Sequence, residues 1–175
     1  MRYIALLRGV NVGGKTMIKM DDLKAEFGRL GFENAASYIN SGNLAFDTPK
    51  ATEKNLVGKI EGAIETRFGR AVPVMLRDMA EIAKIIANNP FIGEFESHKE
   101  MHVLFLSSPL PADKLEFLVD AAPEAERYAA RGREIYCHLP MGVIDSLLGK
   151  SFIEKKLKVA VTARNWRTVE KLAEL

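Results

Sequence analysis

Apolar positions along the chain fall into short runs and helical stripes that recur in a fixed order. Tyr3 to Leu7 is an apolar run closed by Gly9, too short for a helix, and it reads as a strand buried on both faces. Leu23, Phe27 and Leu30 then share one helical face over Met20 to Leu30, with Asp21 and Asp22 favouring the first turn and Gly31 stopping it. Ala36–Asn40 and Leu44–Asp47 predict two short strands around Asn40-Ser-Gly-Asn43, a turn signal strong enough for a hairpin. Pro49 and Thr52 lead into a helix from Glu53 to Arg67, striped by Leu56, Ile60 and Ile64. Val72–Leu76 predicts a strand, and Asp78 caps a helix over Met79–Ala87 that Asn88-Asn-Pro90 ends.

The same order returns in the second half. Met101–Leu106 predicts a strand, and Ala112–Val119 a helix after Pro109 and Pro111. Glu126–Ala130 and Glu134–Leu139 pair across Arg131-Gly-Arg133, and Val143–Leu157 reads as helical with a break near Gly149. Val159–Val161 predicts a short strand, and Asn165 caps a last helix through Leu172.

Each half therefore reads β-α-β-β-α-β-α, the split β-α-β order of ferredoxin-like folds, although no residue-level repeat is visible. The expected fold class is α+β, with halves at residues 1–90 and 91–175 meeting in the segment Asn88–Lys99. Halves this small bury too little apolar surface alone, so they are expected to pack as one compact unit, a single domain over residues 1–175. The topology has a functional consequence. The first strand and the strand entering the hairpin run the same way, and the first and third strands should be neighbours. Arg8–Thr16 and Asn40–Asn43 should then face each other at one sheet edge, above an antiparallel-mixed sheet.

Composition narrows the class. With 47% hydrophobic and 27% charged residues, the 175-residue chain matches an ordinary globular protein. A net charge of +2 is too mild to imply nucleic acid without a local patch. The single cysteine, Cys137, lies in the apolar run Ile135-Tyr-Cys137; it excludes an internal disulfide and suits a buried thiol in a reducing compartment. No uninterrupted apolar run is long enough to span a membrane, and the N-terminus lacks a signal-peptide pattern, so a cytoplasmic protein is expected.

Candidate chemistry concentrates after the first strand. Gly9, Gly13 and Gly14 allow positive φ or close approach of a ligand, while Arg8, Asn11, Lys15 and Thr16 supply donors. Gly9 to Thr16 satisfies the phosphate-loop pattern G-x-x-x-x-G-K-[ST] literally, which would put Lys15 on phosphate oxygens and Thr16 on magnesium. Its context does not fit. Met17-Ile-Lys-Met20 separates Lys15 from the expected helix start, and a phosphate-loop fold needs a parallel sheet. A looser anion-binding loop, or a glycine turn that is only architecture, suits the sequence better. The ligand-binding candidates are Arg8, Asn11, Gly13, Gly14, Lys15, Asn40, Ser41 and Asn43, together with Arg164 and Trp166. In Arg164-Asn-Trp-Arg-Thr168 the arginines could meet phosphate while Trp166 stacks on a base, but a helix cap at Asn165 with Trp166 packed down is the preferred reading.

The remaining chemistry-bearing residues offer less. His98, His102 and His138 have no metal-ligand spacing with Cys137, so no metal site is expected. Ser41 lacks both a nucleophile motif and an identifiable base, and Asp21, Asp22 and Glu26 suit a helix start and a solvent face. Arg131-Gly-Arg133 reads as a solvated turn, and Met17 with Met20 as packing for the loop.

Leu6-Leu-Arg-Gly-Val-Asn-Val-Gly-Gly-Lys15, Tyr38-Ile-Asn-Ser-Gly-Asn43, Val72-Pro-Val74, Asn89-Pro-Phe91 and Arg164-Asn-Trp166 resemble, in order, the blocks of a bacterial family known as domain of unknown function 1697. The resemblance covers nearly the whole chain and departs from the family at Val161-Thr-Ala163, where Thr-Thr is commoner. It implies a soluble two-part α+β protein and no assigned reaction. Three functional classes are open: a small protein binding a phosphorylated or anionic ligand, a nucleic-acid-binding module, and an enzyme acting on an anionic metabolite. The first is preferred. The first-half strands lack paired aromatics for a single strand, and no general base is identifiable for catalysis. No cofactor is expected and no membrane partner; a phosphate-bearing small molecule is the expected partner, with oligomeric state open.

Overall fold

The computed structural model describes residues 1–14, 17–144, 146–148 and 152–175. Its elements follow the order β1 (Arg2–Leu7), α1 (Met20–Arg29), β2 (Glu33–Tyr38), β3 (Asn43–Asp47), α2 (Glu53–Phe68), β4 (Val74–Asp78) and α3 (Met79–Ala87). The order then repeats as β5 (Met101–Leu106), α4 (Ala112–Ala121), β6 (Arg127–Arg131), β7 (Glu134–His138), α5 (Phe152–Leu157), β8 (Val161–Asn165) and α6 (Trp166–Leu172). The chain divides into two compact units, Met1–Ala83 with Lys171–Leu175, and Lys84–Glu170. No helix among the described residues is long and apolar enough to cross a membrane.

The first unit holds a four-stranded sheet in the order β2-β3-β1-β4, and every ladder in it is antiparallel. The expected parallel component is absent because β3 separates the two like-directed strands, β1 and β2. β1 is central, so its apolar run is continuous: Ile4, Ala5, Leu6 and Leu7 are all fully buried. Tyr3, Ala5 and Leu7 share a core with Leu23 and Phe27 of α1 and with Leu56, Ile60 and Ile64 of α2. Phe27 meets Phe46 edge-on, and Phe32 stacks on Phe46 at a centroid distance of 4.4 Å. The caps are the ones the sequence encodes. Thr52 Oγ1 accepts the Asn55 N–H, and Asp78 and Glu81 form a reciprocal capping box at the start of α3. Gly69, with φ 69°, ends α2 in the left-handed conformation.

The second unit repeats the sheet as β6-β7-β5-β8, again wholly antiparallel. Leu104, Leu106, Ile135, Cys137 and Val161 pack with Leu118 of α4 and with Ile153 and Leu157 of α5. Cys137 is a fully buried free thiol, and burial raises its pKa well above the ordinary range.

Several expected boundaries move. β4 runs to Asp78 instead of stopping at Leu76, and carries Arg77 at 1% exposure. β8 spans Val161–Asn165, because Arg164 and Asn165 pair with Val103 and His102 of β5. β2 begins earlier, at Glu33, with a bulge before Ala36, and gives way to the tip after Tyr38. The helix expected from Val143 is α5 alone. Residues 143, 144 and 146–148 form turns closed by Ser146 Oγ donating to the Val143 carbonyl, while Gly149, the expected break, lies outside the described residues.

Candidate functional site

The loop after β1 and the β2–β3 hairpin tip meet at one end of the first sheet, as the split β-α-β order requires. The Leu7 N–H donates to the Gly42 carbonyl at 2.8 Å, and the Arg8 N–H to the Pro73 carbonyl at 2.9 Å. Gly42 has φ +83°, and a Cβ there would stand 2.7 Å from Leu7 Cβ. Only glycine allows the tip to close onto β1 this tightly.

Asn11 organises the loop. Its Nδ2 donates to the Ile18 and Asn40 carbonyls, each at 2.8 Å, and its Oδ1 accepts the Ile18 N–H at 2.7 Å. One amide thus ties together the two ends of the loop and the hairpin tip. Asn11 itself has φ 58°, a conformation asparagine tolerates. Both of its donors are taken, so it acts as a clamp. Asn43 has the same kind of duty. It is fully buried, and its Nδ2 donates to the Tyr38 carbonyl and Ser41 Oγ, each at 3.0 Å. Ile39, between these partners, has φ 50°. Left-handed backbone costs an L-residue about 1–2 kcal/mol, and β-branching makes it rarer still.

Gly9, Asn11, Gly13 and Gly14 all have positive φ, and Gly13 and Gly14 are exposed with open space around their Cα atoms. Left-handed residues interleaved in a loop can turn successive N–H groups toward one concavity, the geometry of an anion nest. Arg8 is half-buried at the mouth of the loop. Arg70 also reaches this end, its Nη2 donating to the Gly9 carbonyl at 2.9 Å, across 61 positions of sequence that hide the proximity. Glu61 is nearby too, but its Oε1 is spent on the Val74 N–H. Lys15 and Thr16 lie outside the described residues. Met20 is buried as expected, whereas Met17 is 58% exposed and does not pack the loop down.

Arg164 and Trp166 have other work. Arg164 is buried, and its Nη1 donates to Thr162 Oγ1 at 2.6 Å and to the Ala163 carbonyl; desolvation lowers its pKa to about 10. Trp166 is 4% exposed, with its Nε1 donating to Glu170 Oε1 and its ring edge-on to Phe95. Asn165 Oδ1 accepts the Thr168 N–H, so the helix-cap reading holds. Arg164 and Trp166 are thus both enclosed by packing and hydrogen bonds within the second unit.

Two histidines of the second unit are held in its interior. Burial lowers the His102 pKa to about 4, and His138 stacks obliquely on Phe91 with its Nε2 3.8 Å from Glu100. Among the described residues no group of three His, Cys, Asp or Glu side chains could hold a metal ion.

Comparison with known proteins agrees with this architecture. No curated protein matches the chain. The solved structure of a conserved bacterial protein, SP0830, from Streptococcus pneumoniae is similar with a TM-score of 0.79 and 24% identity, covering 99% of this chain and 97% of that one. At that identity the likeness speaks for the fold. Residues 1–136 match the model of a family described as "Protein of unknown function (DUF1697)", a span that includes β1, the glycine loop, the hairpin tip and most of the second sheet. The chain belongs to this family, DUF1697.

Proposed function

We propose that this protein binds a phosphorylated or otherwise anionic ligand at residues 8–16 together with the hairpin tip 40–43, and does so in the cytoplasm. The carrying observation is the run of left-handed residues at Gly9, Asn11, Gly13 and Gly14, in a segment bearing Arg8 and Lys15 and no carboxylate. In this reading Gly13 and Gly14 offer backbone N–H groups, and Arg8 and Lys15 supply charge. Asn11, Asn40, Ser41, Gly42 and Asn43 hold the concavity in shape. Arg70, tied to the Gly9 carbonyl, adds positive potential.

Two features disfavour a nucleotide-hydrolysing phosphate loop. α1 begins at Met20 after the non-helical residues 17–19, whereas a phosphate loop runs straight into its helix, and the sheet is antiparallel throughout. Binding without chemistry also suits the absence, among the described loop residues, of a histidine or carboxylate to act as a base. The test is a thermal-shift and calorimetric screen with inorganic phosphate, pyrophosphate, nucleotides, phosphate monoesters and short oligonucleotides. Stabilisation by small phosphates that Arg8→Ala and Lys15→Ala each weaken supports the reading. Stabilisation by oligonucleotides alone would replace it with a nucleic-acid module.

A further inference from the structure

The loop and the tip expose apolar side chains that the fold does not use. Val12 is 72% exposed, Met17 58% and Ile39 51%. Each adjoins a residue of the Asn11 clamp: Val12 follows Asn11, Met17 precedes Ile18, and Ile39 precedes Asn40. One amide therefore gathers all three at the same end of the sheet. Ile39 is the most telling. A β-branched residue at φ 50° is strained where glycine or asparagine would not be, and its half-exposed side chain gives the fold little packing in return. Strain retained at an exposed apolar residue points to a role outside the fold.

The two segments themselves carry charge of one sign, with Glu61 beside them engaged at the Val74 N–H. Residues 8–19 contain Arg8, Lys15 and Lys19 and no acid, residues 38–43 are uncharged, and Arg70 reaches Gly9. Asp21, the first acid beyond Lys19, pairs with Lys24 at 2.9 Å. Arginine, methionine and a half-buried tyrosine, Tyr38, are also the residue types enriched in protein interfaces.

We infer that this end of the sheet docks an acidic segment of a partner protein. The partner's carboxylates meet Arg8, Lys19 and Arg70, and an apolar side chain between them covers Val12, Met17 and Ile39. This rests on the anion-binding reading of the same loop and adds an apolar contact to it. A second copy of this chain would oppose like charges. A nucleic-acid strand would need stacking surfaces, and the only aromatic residue of segments 8–19 and 38–43 is Tyr38.

The experiment pans a random dodecapeptide display library on the full chain and then measures the selected sequences as free peptides. The expected peptides place Asp or Glu on either side of a Leu, Ile or Phe. Their binding should weaken at least tenfold in Ile39→Asn, Val12→Ser and Arg8→Ala, and should fall when salt rises from about 0.05 to about 0.3 M. Ile39→Asn is the decisive variant, because it relieves backbone strain, so lost binding in an equally or more stable protein cannot be ascribed to unfolding. Peptides without acidic residues, or affinity indifferent to Ile39→Asn and Val12→Ser, would overturn the inference. So would failure to enrich any peptide when vesicles of phosphatidylglycerol and phosphatidylcholine sediment the protein. Titration with inorganic phosphate separates the two readings. Phosphate binding without peptide enrichment removes the partner and leaves the anion loop, whereas apolar peptides insensitive to Arg8→Ala remove the anion loop.

Discussion

Replacing Gly42 by alanine should damage this protein more than replacing any other glycine of the site. Two independent costs add at this position. The backbone has φ +83°, where a Cβ costs about 1–2 kcal/mol. That Cβ would also stand 2.7 Å from Leu7 Cβ and 3.4 Å from Val10 Cβ. Leu7 cannot yield easily, being fully buried in the central strand with its own N–H bonded to the Gly42 carbonyl. Overpacking of this kind costs about 1–3 kcal/mol, so the sum is roughly 2–5 kcal/mol. For a chain of this size that lowers Tm by roughly 4–20 °C. Gly13→Ala and Gly14→Ala are the controls, because their Cβ atoms meet nothing within 4 Å and only the backbone cost, about 1–2 kcal/mol, remains. Urea unfolding followed by circular dichroism reads all three. If Gly42→Ala costs no more than Gly13→Ala, the hairpin tip does not close on β1 as described.

The other expectations address the clamp, the loop and a buried imidazole. Asn11→Gly keeps the left-handed backbone but deletes three hydrogen bonds, so it should destabilise by about 1.5–4 kcal/mol in urea unfolding; a neutral result would mean the amide clamps nothing. Lys15→Ala and Arg8→Ala should weaken phosphate binding roughly ten- to a hundred-fold in calorimetry while Thr16→Ala should not; magnesium-dependent ATP hydrolysis lost in Thr16→Ala would reinstate the phosphate-loop reading. His102 titrates near 4 in the fold against 6.5 unfolded, so between those values the unfolded chain binds more protons. Its contribution is present above pH 6.5 and lost as pH falls toward 4, about 3 kcal/mol at most. The urea midpoint of His102→Leu should therefore fall less over that window than the parent's, and equal slopes would contradict the burial argument.

What was legible in the sequence is what hydrophobic periodicity records. Leu56, Ile60 and Ile64 announce the buried stripe of α2, and the run Tyr3–Leu7 announces a central strand. The repeated element order then yields the sheet order, and with it the meeting of the loop and the hairpin tip. Buried charge broke the pattern. Arg77 and Arg164 lie inside strands at 1% and 7% exposure, whereas the apolar pattern ends one strand at Leu76, just before Arg77, and the other at Val161, three residues before Arg164. Val143, Ile144, Leu147 and Leu148 have helical spacing, yet a side-chain bond from Ser146 to the Val143 carbonyl closes a turn, and Ile144 stays 85% exposed. Within the site, glycine and asparagine marked the loop and the tip because their backbone freedom is visible in the residue type. Arg70 was missed because nothing local to Gly69-Arg-Ala71 encodes its approach to Gly9. Asn11 is legible as a loop donor, but its role in tying the loop to the hairpin tip is not, since its three partners come together only once the chain is folded.

The central claim is that residues 8–16 bind an anion through backbone N–H groups supported by positive charge. The most direct measurement is a titration of inorganic phosphate into isotope-labelled protein, followed through the amide resonances. Saturable shifts should localise to Gly9 through Gly14 and to Asn40–Asn43, with the midpoint moved to higher phosphate by Arg8→Ala. Unchanged resonances for these residues at about 10 mM phosphate, where even a 1 mM site would be mostly filled, would contradict the account and leave the glycine loop as architecture.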